Sequence, residues 1–519
     1  MSGIVGRIVV VGGGSAGWLA AGVIAAGHRS ADAGRVQVTV VESPEVRTIG
    51  VGEGTWPSMR DTLRRIGVSE TDFIRACDAS FKQGSKFVGW VSGRDDDQYF
   101  HPFALPQGYT EADLVAQWQA GHADVPFAEL VSYQPHLCRL GRAPKQIATP
   151  EFAAVANYAY HLDAGKFGEF LRAHCTARLG VRHVLDHVTG IVARDDGDID
   201  ALETREHGRI AGDLFIDCTG FASLLLGRHY DVPFVHRKDV LFNDSALAVQ
   251  VPYSDERSPI ASQTIGTAQE CGWIWDIGLP TRRGVGYVYS SAHATDEQAE
   301  QALRRYVERS AGAPAAAAIS PRKLGFSPGH RAKFWHRNCV AVGIAAGFIE
   351  PLEASALALI ELSAAMISDQ LPATRGEMDI VARRFNESFA YRWERIVDFL
   401  KLHYVLTGRR DSEYWRDNCG PATIPERPRE LLSYWRHHPP SRYDLPRVDE
   451  IFPSASYQYV LYGMGFRPAA SVTARLSGDA ERAEGLFRES AALTQRLLAG
   501  LPENRVLLEQ IGQHGMQRI

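Results

Sequence analysis

A glycine-rich segment near the start of the chain constrains the fold more than any other stretch. The apolar run Ile8–Val11 ends in Gly12–Gly17, which reads GGGSAG, and a helical pattern follows from Trp18 to Gly27. Strand, tight glycine turn and helix N-terminus in this order form the fingerprint of a dinucleotide-binding fold. The sequence therefore predicts an α/β protein whose first strand leads into a phosphate-binding turn.

Each residue of the turn has a predicted task. Gly12 allows the sharp bend, Gly14 lets a pyrophosphate approach the backbone, and Gly17 lets helix and strand pack closely. The amides of Ser15 and Ala16 lie where the helix begins. A helix N-terminus offers N–H groups and a partial positive charge to phosphates.

The next strand and the later course of the chain identify the dinucleotide. The apolar strand Val36–Val41 ends at Glu42, whose carboxylate can accept hydrogen bonds from a ribose hydroxyl. Apolar strand patterns that run into glycine recur at Phe215–Gly220 and Val340–Gly347. A late return to the nucleotide-binding sheet is typical of FAD enzymes, in which later segments reach the flavin, so FAD is favoured over a nicotinamide cofactor.

Bulk composition excludes several classes of protein. With 519 residues, two or three subdomains are expected, and a net charge of −5 argues against nucleic-acid binding. The seven scattered cysteines contain no CxxC pair, which favours reduced thiols over a disulfide framework or a zinc site. Without a signal peptide or a membrane-length apolar run, we expect a soluble cytoplasmic protein. The sequence shows no Ser-His-Asp arrangement, metal cluster or Walker loop.

The pattern along the chain predicts two functional parts. Residues 1–100, 155–235 and 240–370 are assigned to a discontinuous, Rossmann-type FAD-binding body, and residues 101–154 and 371–519 to a helical and irregular substrate-binding part. Within these parts, Tyr160–Leu179 is predicted to be one amphipathic helix. The aromatic-rich residues 91–150 are predicted to be irregular and to form a lid or pocket wall.

Lys82 is the first residue that suggests chemistry. It lies in Ser80-Phe81-Lys82, between aromatic and small side chains. A desolvated lysine can act as a hydrogen-bond donor or, with a lowered pKa, as an amine nucleophile. The alternative is a solvated surface lysine, and the local sequence leaves both open.

The segment Phe348–Ala356, which reads FIEPLEASA, suggests an anion site at the start of a helix. Glu353 precedes the helix, and the N–H groups of Ser355 and Ala356 can hold a small anion there. Helix capping by an acid is the simpler explanation. Capping does not account for a second acid, Glu350, three residues earlier across a proline.

Two tryptophans share one face of a predicted strand. Trp273 and Trp275 are separated by one residue in Gly272-Trp273-Ile274-Trp275. Core packing explains such a pair, and two indoles can also shield a passage from water.

Taken together, these motifs resemble those of the flavin-dependent tryptophan halogenases. The resemblance covers essentially the whole chain, and six ordered motifs carry it: GGGSAG at Gly12–Gly17, GVGEGTWP at Gly50–Pro57, SFKQGSKF at Ser80–Phe87, HPF at His101–Phe103, GWIWDIG at Gly272–Gly278 and FIEPLEASA at Phe348–Ala356. The WxWxIP motif of the family departs at Gly278, where proline is usual.

The resemblance implies a role for each matched residue. It makes Lys82 and Glu353 catalytic, and Ser355 and Ala356 the halide site. It places Trp273 and Trp275 along an internal tunnel. The implied flavin contacts include the glycine turn and Glu42, together with Val188, Ile344 and Leu357.

The resemblance also implies a reaction. Reduced FAD, supplied by a separate flavin reductase, reacts with O2 to a flavin hydroperoxide, and chloride or bromide then gives hypohalous acid. The oxidant crosses the tunnel to Lys82, an electron-rich ring attacks the halogen, and Glu353 stabilises the cation or takes its proton. His101, Phe103, Tyr457 and Glu353 are the implied substrate residues, and a homodimer is the implied assembly.

Two other functions and several substrates stay open from the sequence. Related FAD aromatic hydroxylases usually carry aspartate after the glycine of the last strand, whereas Ile344 follows Gly343 here, which favours a halogenase. A non-catalytic flavin-binding protein would not need Lys82 or Glu353. The aromatic stretch Ser456–Phe466 lacks the acid and tryptophan that hold free tryptophan in the family, so indole, a substituted indole or a tryptophan residue in a larger molecule is an equal expectation.

Overall fold

The computed structural model describes residues 3–28, 36–46, 52–94, 96–469 and 479–518. The chain divides into two compact units. The first comprises Met1–Ala79, Leu162–Arg237 and Phe326–Trp393, and the second comprises Ser80–His161, Lys238–Gly325 and Glu394–Ile519.

The strands, in chain order, are β1 Arg7–Val11, β2 Gln37–Glu42, β3 Gly52–Gly54, β4 Ser80–Lys82, β5 Gly84–Val88, β6 Gln98–Pro102, β7 Ala159–Asp163, β8 Arg182–Leu185, β9 Val188–Ala193, β10 Ile199–Thr204, β11 Gly208–Ala211, β12 Leu214–Asp217, β13 Phe234–His236, β14 Ser245–Pro252, β15 Thr264–Gln269, β16 Gly272–Gly278, β17 Arg282–Tyr289, β18 Arg322–Gly325, β19 Gly329–Arg331, β20 Trp335–His336, β21 Cys339–Ala341 and β22 Gly347–Phe348.

The helices are α1 Ser15–Gly27, α2 Met59–Arg65, α3 Glu70–Ala76, α4 Leu114–Gly121, α5 Phe127–Val131, α6 Gln134–Arg139, α7 Ala164–Leu179, α8 Asp296–Ala311, α9 Ala313–Ala318, α10 Ser355–Asp369, α11 Arg375–Val405, α12 Glu413–Asn418, α13 Glu426–Tyr434, α14 Ser454–Gly463, α15 Asp479–Gly500 and α16 Asn504–His514. Short 3₁₀ turns include Gly220–Ala222 and Gly343–Ala345, and a π-helical turn spans Leu224–His229.

The first unit contains a parallel sheet in the order β20-β21-β12-β1-β2-β8, with only the short β20 antiparallel to its neighbour. Val9 lies in register with Thr39 on one side and Phe215 on the other. Its inner strands are almost continuously apolar, as expected for a parallel sheet covered on both faces. The helix α1 is buried over most of its length and packs against α7 and α10.

The second unit contains a sheet in the order β18-β14-β17-β16-β15-β5-β6, in which only the β15–β5 pair is parallel. The helix α8 packs its apolar face on β14 and β17, where Leu303 and Val307 join a core with Val249 and Tyr287. The helix α14 packs against β6. Two of the predicted substrate residues, His101 and Tyr457, lie on these last two elements.

The predicted α/β class with a Rossmann-type flavin-binding fold is confirmed. The predicted functional division of the chain stays a prediction. The compact units follow different ranges, since residues 80–100 and 240–325 belong to the second unit.

Two predicted segments have a different local structure. The predicted helix Tyr160–Leu179 begins only at Ala164, because Ala159–His161 pairs antiparallel with β4 and the Asp163 carboxylate caps the helix through the amides of Gly165 and Lys166. Residues 91–150 are less irregular than expected. They contain α4, α5 and α6, and the large side chains of Trp118 and Phe127 are buried.

In the part of the chain that the structure describes, no helix is long and apolar enough to cross a membrane.

The buried carboxyl of Glu361 predicts a pH dependence of stability. Its oxygens accept hydrogen bonds from Thr62 Oγ1 at 2.5 Å and Ser58 Oγ at 3.3 Å, yet burial raises its pKa from 4.5 to about 8. Between these two pKa values the native state keeps a proton on Glu361 that the unfolded chain releases. The contribution of Glu361 to the stability of the fold is therefore fully present below about pH 4.5 and is lost as the pH rises to about 8.

We therefore expect the melting temperature of Glu361→Gln to change less between pH 5 and pH 8 than the melting temperature of the native protein does. Differential scanning fluorimetry at both pH values measures this, and the exposed Glu387→Gln serves as the matched control. Equal pH slopes for Glu361→Gln and the native protein would contradict the assignment.

Candidate active site

The glycine turn after β1 is closed on its protein side and open on the other. Gly12 has a φ of +114°, and a Cβ there would overlap the carbonyl of Cys218. A Cβ at Gly17 would overlap the carbonyl oxygen of Gly12, so helix and turn meet through bare backbone. A Cβ at Gly14 would meet nothing within 4 Å. The turn thus leaves room beside Gly14 for a ligand to approach.

The start of α1 is arranged to receive an anion. Gly14 is the N-cap and makes no side-chain cap bond, while its carbonyl accepts from Trp18 N at 3.1 Å. Ser15 Oγ donates to the carbonyl of Ala164 at 3.3 Å, so its hydroxyl is directed back into the unit. The amides of Ser15 and Ala16 belong to the first turn, whose N–H groups have no acceptor within the helix. Phosphate oxygens are suitable acceptors for them.

Glu42 ends β2 beside this turn. A Cβ at Gly13 would overlap its carboxylate, which places the acid against the glycine turn. His183 Nε2 lies 2.9 Å from Glu42 Oε2, but this buried oxygen accepts no hydrogen bond within the described structure. A buried oxygen with spare acceptor capacity fits the ribose hydroxyl predicted from the sequence. The turn and Glu42 together therefore fit a dinucleotide such as FAD.

The other predicted flavin contacts lie on separate elements of the same unit. Val188 is the half-buried first residue of β9. Ile344 lies in the 3₁₀ turn after β21, and Leu357 is buried in the first turn of α10. Whether they contact the flavin stays a prediction.

A small cavity brings the predicted halide residues together with Glu350. Its volume is about 50 Å³, and Ile344, Glu350, Ser355 and Ala356 are among the residues that line it. The rest of the wall is mostly apolar and includes the aromatic side chains of Phe334, Phe348, Phe389 and Trp393. A helix N-terminus that faces an apolar cavity can hold a weakly hydrated anion.

Backbone strain marks the approach to this helix. Ala354, the N-cap of α10, has a φ of +54°, a conformation that non-glycine residues rarely adopt. The preceding Glu353 is buried, and its carbonyl accepts from Trp56 Nε1 at 2.8 Å. Such strain recurs at functional sites, where the surrounding structure fixes the geometry. Here it redirects the chain between the predicted catalytic acid and the predicted halide amides.

Lys82 lies in the second unit and is buried, with 1% of its surface exposed. This excludes the alternative of a solvated surface lysine. It ends the short strand β4 opposite Ala159 of β7, and its Nζ lies 5.4 Å from the ring centre of Phe103. The structure therefore brings together the predicted catalytic lysine and one predicted substrate residue.

His161 was missed by the sequence analysis. It pairs in register with Ser80 on β4, and its Nε2 lies 2.8 Å from Thr264 Oγ1. Burial lowers the pKa of His161 well below its usual value, and the charge of Lys82 lowers it further. A neutral imidazole thus stands near the lysine. The sequence analysis assigned residues 160–179 to one helix and therefore missed this strand. The alternation of apolar and polar side chains at Tyr160, His161 and Leu162, followed by the helix-capping Asp163, was a usable signal for a strand that ends before the helix.

His101 and Tyr457 surround one aromatic ring. The His101 ring centre lies 5.7 Å from that of Phe399, and Tyr457 packs edge-on against the same ring at 4.9 Å. His101 Nε2 also lies 2.8 Å from Ser456 Oγ. Burial raises the pKa of Tyr457 to about 12, against the opposing effect of Arg427. Two predicted substrate residues therefore lie close together. They contact Phe399 and Ser456, which the sequence analysis did not predict as site residues.

Trp273 and Trp275 are both buried on β16, with ring centres 6.4 Å apart. Trp273 also lies near Trp90, at 6.3 Å, so at least part of the pair belongs to an aromatic core. Their role along a tunnel stays a prediction. Of the GVGEGTWP motif, Gly50 and Val51 lie outside the described residues.

Comparison with known proteins identifies a family that the chain matches. The sequence profile of the tryptophan halogenase family matches residues 7–477. The chain is 32% identical to a tryptophan 6-halogenase from Streptomyces toxytricini over 531 residues, which cover 98% of each chain.

Two solved structures are similar over nearly the whole length. The crystal structure of a tryptophan halogenase from Shewanella frigidimarina NCIMB 400 has 50% identity and a TM-score of 0.95, with 99% of both chains covered. A tryptophan C-6 flavin-dependent halogenase, a chlorinase from taromycin biosynthesis, has 33% identity and a TM-score of 0.90, with 98% of this chain and 99% of that one covered.

The glycine turn, the helix start at Ser355 and the buried Lys82 are the features expected of a halogenating flavoenzyme, and the comparisons show that class. The chain belongs to the tryptophan halogenase family. Membership implies FAD and a halide as cofactor and reagent, and it disfavours the aromatic hydroxylase considered from the sequence.

The two glycines of the turn give a matched test of the dinucleotide site. Gly14→Ala adds a methyl group in open space at a φ of −75°, so the melting temperature of the apoprotein should stay within about 2 °C, while FAD binding weakens about tenfold or more. Gly17→Ala forces its methyl group onto the Gly12 carbonyl, so it should destabilise the fold by several kcal/mol, within the range known for overpacking and strain.

Thermal unfolding of the apoprotein and FAD titration by fluorescence quenching separate the two effects. Unchanged FAD affinity in Gly14→Ala would place the dinucleotide elsewhere.

Proposed function

We propose that this enzyme chlorinates or brominates an electron-rich aromatic ring of the indole type, with Lys82 as its catalytic lysine. The observation that carries this proposal is the burial of Lys82 beside the Phe103 ring. Burial of an amine is costly, and buried titratable groups beside a substrate-sized ring recur at functional sites. Relatives named as tryptophan halogenases support the indole class.

In the proposed reaction, Lys82 receives hypohalous acid and delivers the halogen. Its amine either donates a hydrogen bond to the oxidant, which polarises the oxygen–halogen bond, or exchanges a proton for halogen to form a haloamine and water. The ring carbon then forms a bond to the halogen, and the ring proton leaves to restore aromaticity. The neutral His161 near Lys82 adds no second charge that would compete for the oxidant.

We assign proton acceptance and charge stabilisation to Glu353. A buried carboxylate stabilises a nearby cationic intermediate more strongly than one in water does, because the local dielectric is low. The halide is assigned to the amides of Ser355 and Ala356, beside the 50 Å³ cavity. The strained Ala354 between the two assignments fixes the direction of those amides.

When bound and reduced, FAD would activate O2, the oxidant that the conversion of halide to hypohalous acid requires. We assign its pyrophosphate to the Gly12–Gly17 turn and its ribose to Glu42, with Val188, Ile344 and Leu357 along its length. We propose, from the family resemblance, that a separate flavin reductase supplies FADH2. A homodimer is proposed from the family resemblance alone.

We place the substrate ring against Phe103 and His101, with Tyr457 as a further wall. These side chains all carry aromatic rings, which suits a flat, electron-rich substrate ring such as indole. Free tryptophan, indole and larger indole derivatives all present such a ring.

Product analysis distinguishes these substrates. The purified enzyme, a flavin reductase, FAD, NADH and O2 are incubated with indole or tryptophan in bromide or chloride, and products are examined by mass spectrometry. We expect a product with a halogen isotope pattern. Oxygen insertion without halogen would contradict the proposal.

Removal of the Lys82 amine tests its role. We expect Lys82→Met to lower the rate of halogenation by about 10²–10⁴, the range of a lost acid–base or positioning group, while FAD binding stays unchanged. The half-buried Lys86 on the next strand offers the matched control, since Lys86→Met should keep most of the activity. Equal losses in the two variants would remove Lys82 from the chemistry.

A further inference from the structure

A second cavity in the first unit lies next to the predicted halide site. Its volume is about 210 Å³, and its lining consists of Phe221, Ser223, Phe234, His236, Ser327, Arg331, Ile344 and Phe348. Ile344 and Phe348 also line the 50 Å³ cavity at Ser355 and Ala356. The two cavities are therefore neighbours that share one wall. We call the larger one the port cavity.

The chemistry of the port cavity suits a small anion. Among the described residues that line it are an arginine, a histidine and two serines, but no carboxylate. Arg331 reaches it from β19, with its guanidinium 5.5 Å from the Phe234 ring centre and Nη1 donating to the carbonyl of Val232 at 2.9 Å. These contacts hold the cation in place at the wall.

The nearest acids, Asp217 and Asp231, attract Arg331 but do not line the port cavity. Burial lowers the pKa of Arg331, whereas Asp217 and Asp231 oppose that shift, and an arginine stays charged at neutral pH. The Asp217 carboxylate is held by five donors, the amides of Thr219, Leu225 and Leu226 and the hydroxyls of Thr219 and Ser223. Arg331 donates instead to the carbonyl of Val232.

The outer rim of the port cavity is accessible. Ser327 and His236 are exposed, and His236 Nδ1 lies 2.9 Å from Ser327 Oγ. Phe221 is 56% exposed, and its ring packs edge-on against Phe348 at 5.7 Å. Phe348 thus stands between an accessible, positively charged cavity and the cavity of the predicted halide amides.

We propose that the port cavity is the entry site for halide, in which Arg331 concentrates the anion and Phe348 separates it from the amides of Ser355 and Ala356. This inference rests on the proposed function, because it assumes that halide is consumed at those amides. A fixed cation beside a low-dielectric wall raises the local concentration of anions. Arg331 acts here as a positioning residue for the halide and takes no part in bond formation.

The kinetic test compares the halide dependence of variants. Arg331→Gln should raise the KM for bromide about tenfold, the size expected for one lost charge a few ångström from the anion, and leave kcat at saturating bromide within about twofold. Arg331→Lys should restore most of the affinity. The exposed Arg209→Gln, which removes a charge elsewhere in the same unit, should change neither constant. An unchanged KM for bromide in Arg331→Gln would overturn the inference.

A second variant is needed because Arg331 also donates a hydrogen bond to the Val232 carbonyl, so that Arg331→Gln removes a structural contact as well as a charge. Ser327 is exposed, so Ser327→Glu should fold normally while placing a negative charge at the rim of the port cavity. We expect a higher KM for bromide, with the melting temperature and FAD affinity of the native protein. A native KM for bromide in this variant would count against the port.

A binding experiment separates this inference from the proposed function. Crystals of the FAD-loaded enzyme are soaked in sodium bromide, and anomalous scattering locates the ion. A bromide peak beside Arg331, absent in Arg331→Gln, would support the port even if no substrate were halogenated. A halogenated product without a peak in the port cavity, or flavin density that fills this cavity, would overturn the port and leave the proposed function intact.

Discussion

The contact between two bare stretches of backbone, at Gly12 and Gly17, is the constraint on which the first unit depends. The helix α1 lies so close to the end of β1 that no side chain fits between them. Because α1 is buried against α7 and α10, this closeness sets the position of the surrounding helices as well. The same contact leaves the helix N-terminus uncapped by any side chain, and so available to an anionic ligand.

The chemistry is distributed between the two units in a way that follows from their local environments. The first unit presents backbone amides, at the start of α1 and again at the start of α10, which suit anions of different size. The second unit presents a buried amine with aromatic neighbours, which suits an electrophile and a flat ring. Backbone amides donate whatever side chain they carry, so these two sites depend on local backbone geometry, at the glycine turn and at the strained Ala354, more than on side-chain chemistry.

The sequence was most informative where chemistry depends on backbone geometry. The turn at Gly12–Gly17, the acid at the end of β2 and the helix start at Ser355 were each predicted from local residue patterns, and the structure has the strand ends and helix starts that those patterns require. Fold class and family were predicted correctly, since six ordered motifs are specific together.

The features that the sequence analysis missed depend on contacts between distant segments, which no local sequence pattern encodes. His161 was hidden because strand pairing with Ser80 outweighs the helical character of the residues that follow. The helices α4 and α5 were missed because each is short, and their aromatic side chains gain their stability from burial. Arg331 carries no motif, and its place beside a cavity arises only when β13, β19 and β22 pair.

The order of strands in the parallel sheet has a consequence for how the chain is made. Strand β1 pairs with β12, which lies more than two hundred residues later, and β12 in turn pairs with β21 near residue 340. On the ribosome, the outer edge of β2 therefore waits for β8 at Arg182–Leu185, and the outer edge of β1 waits for β12 at Leu214–Asp217. Strand pairings this distant in sequence slow the folding of a sheet, and its apolar edges are prone to aggregation until the last strand covers them.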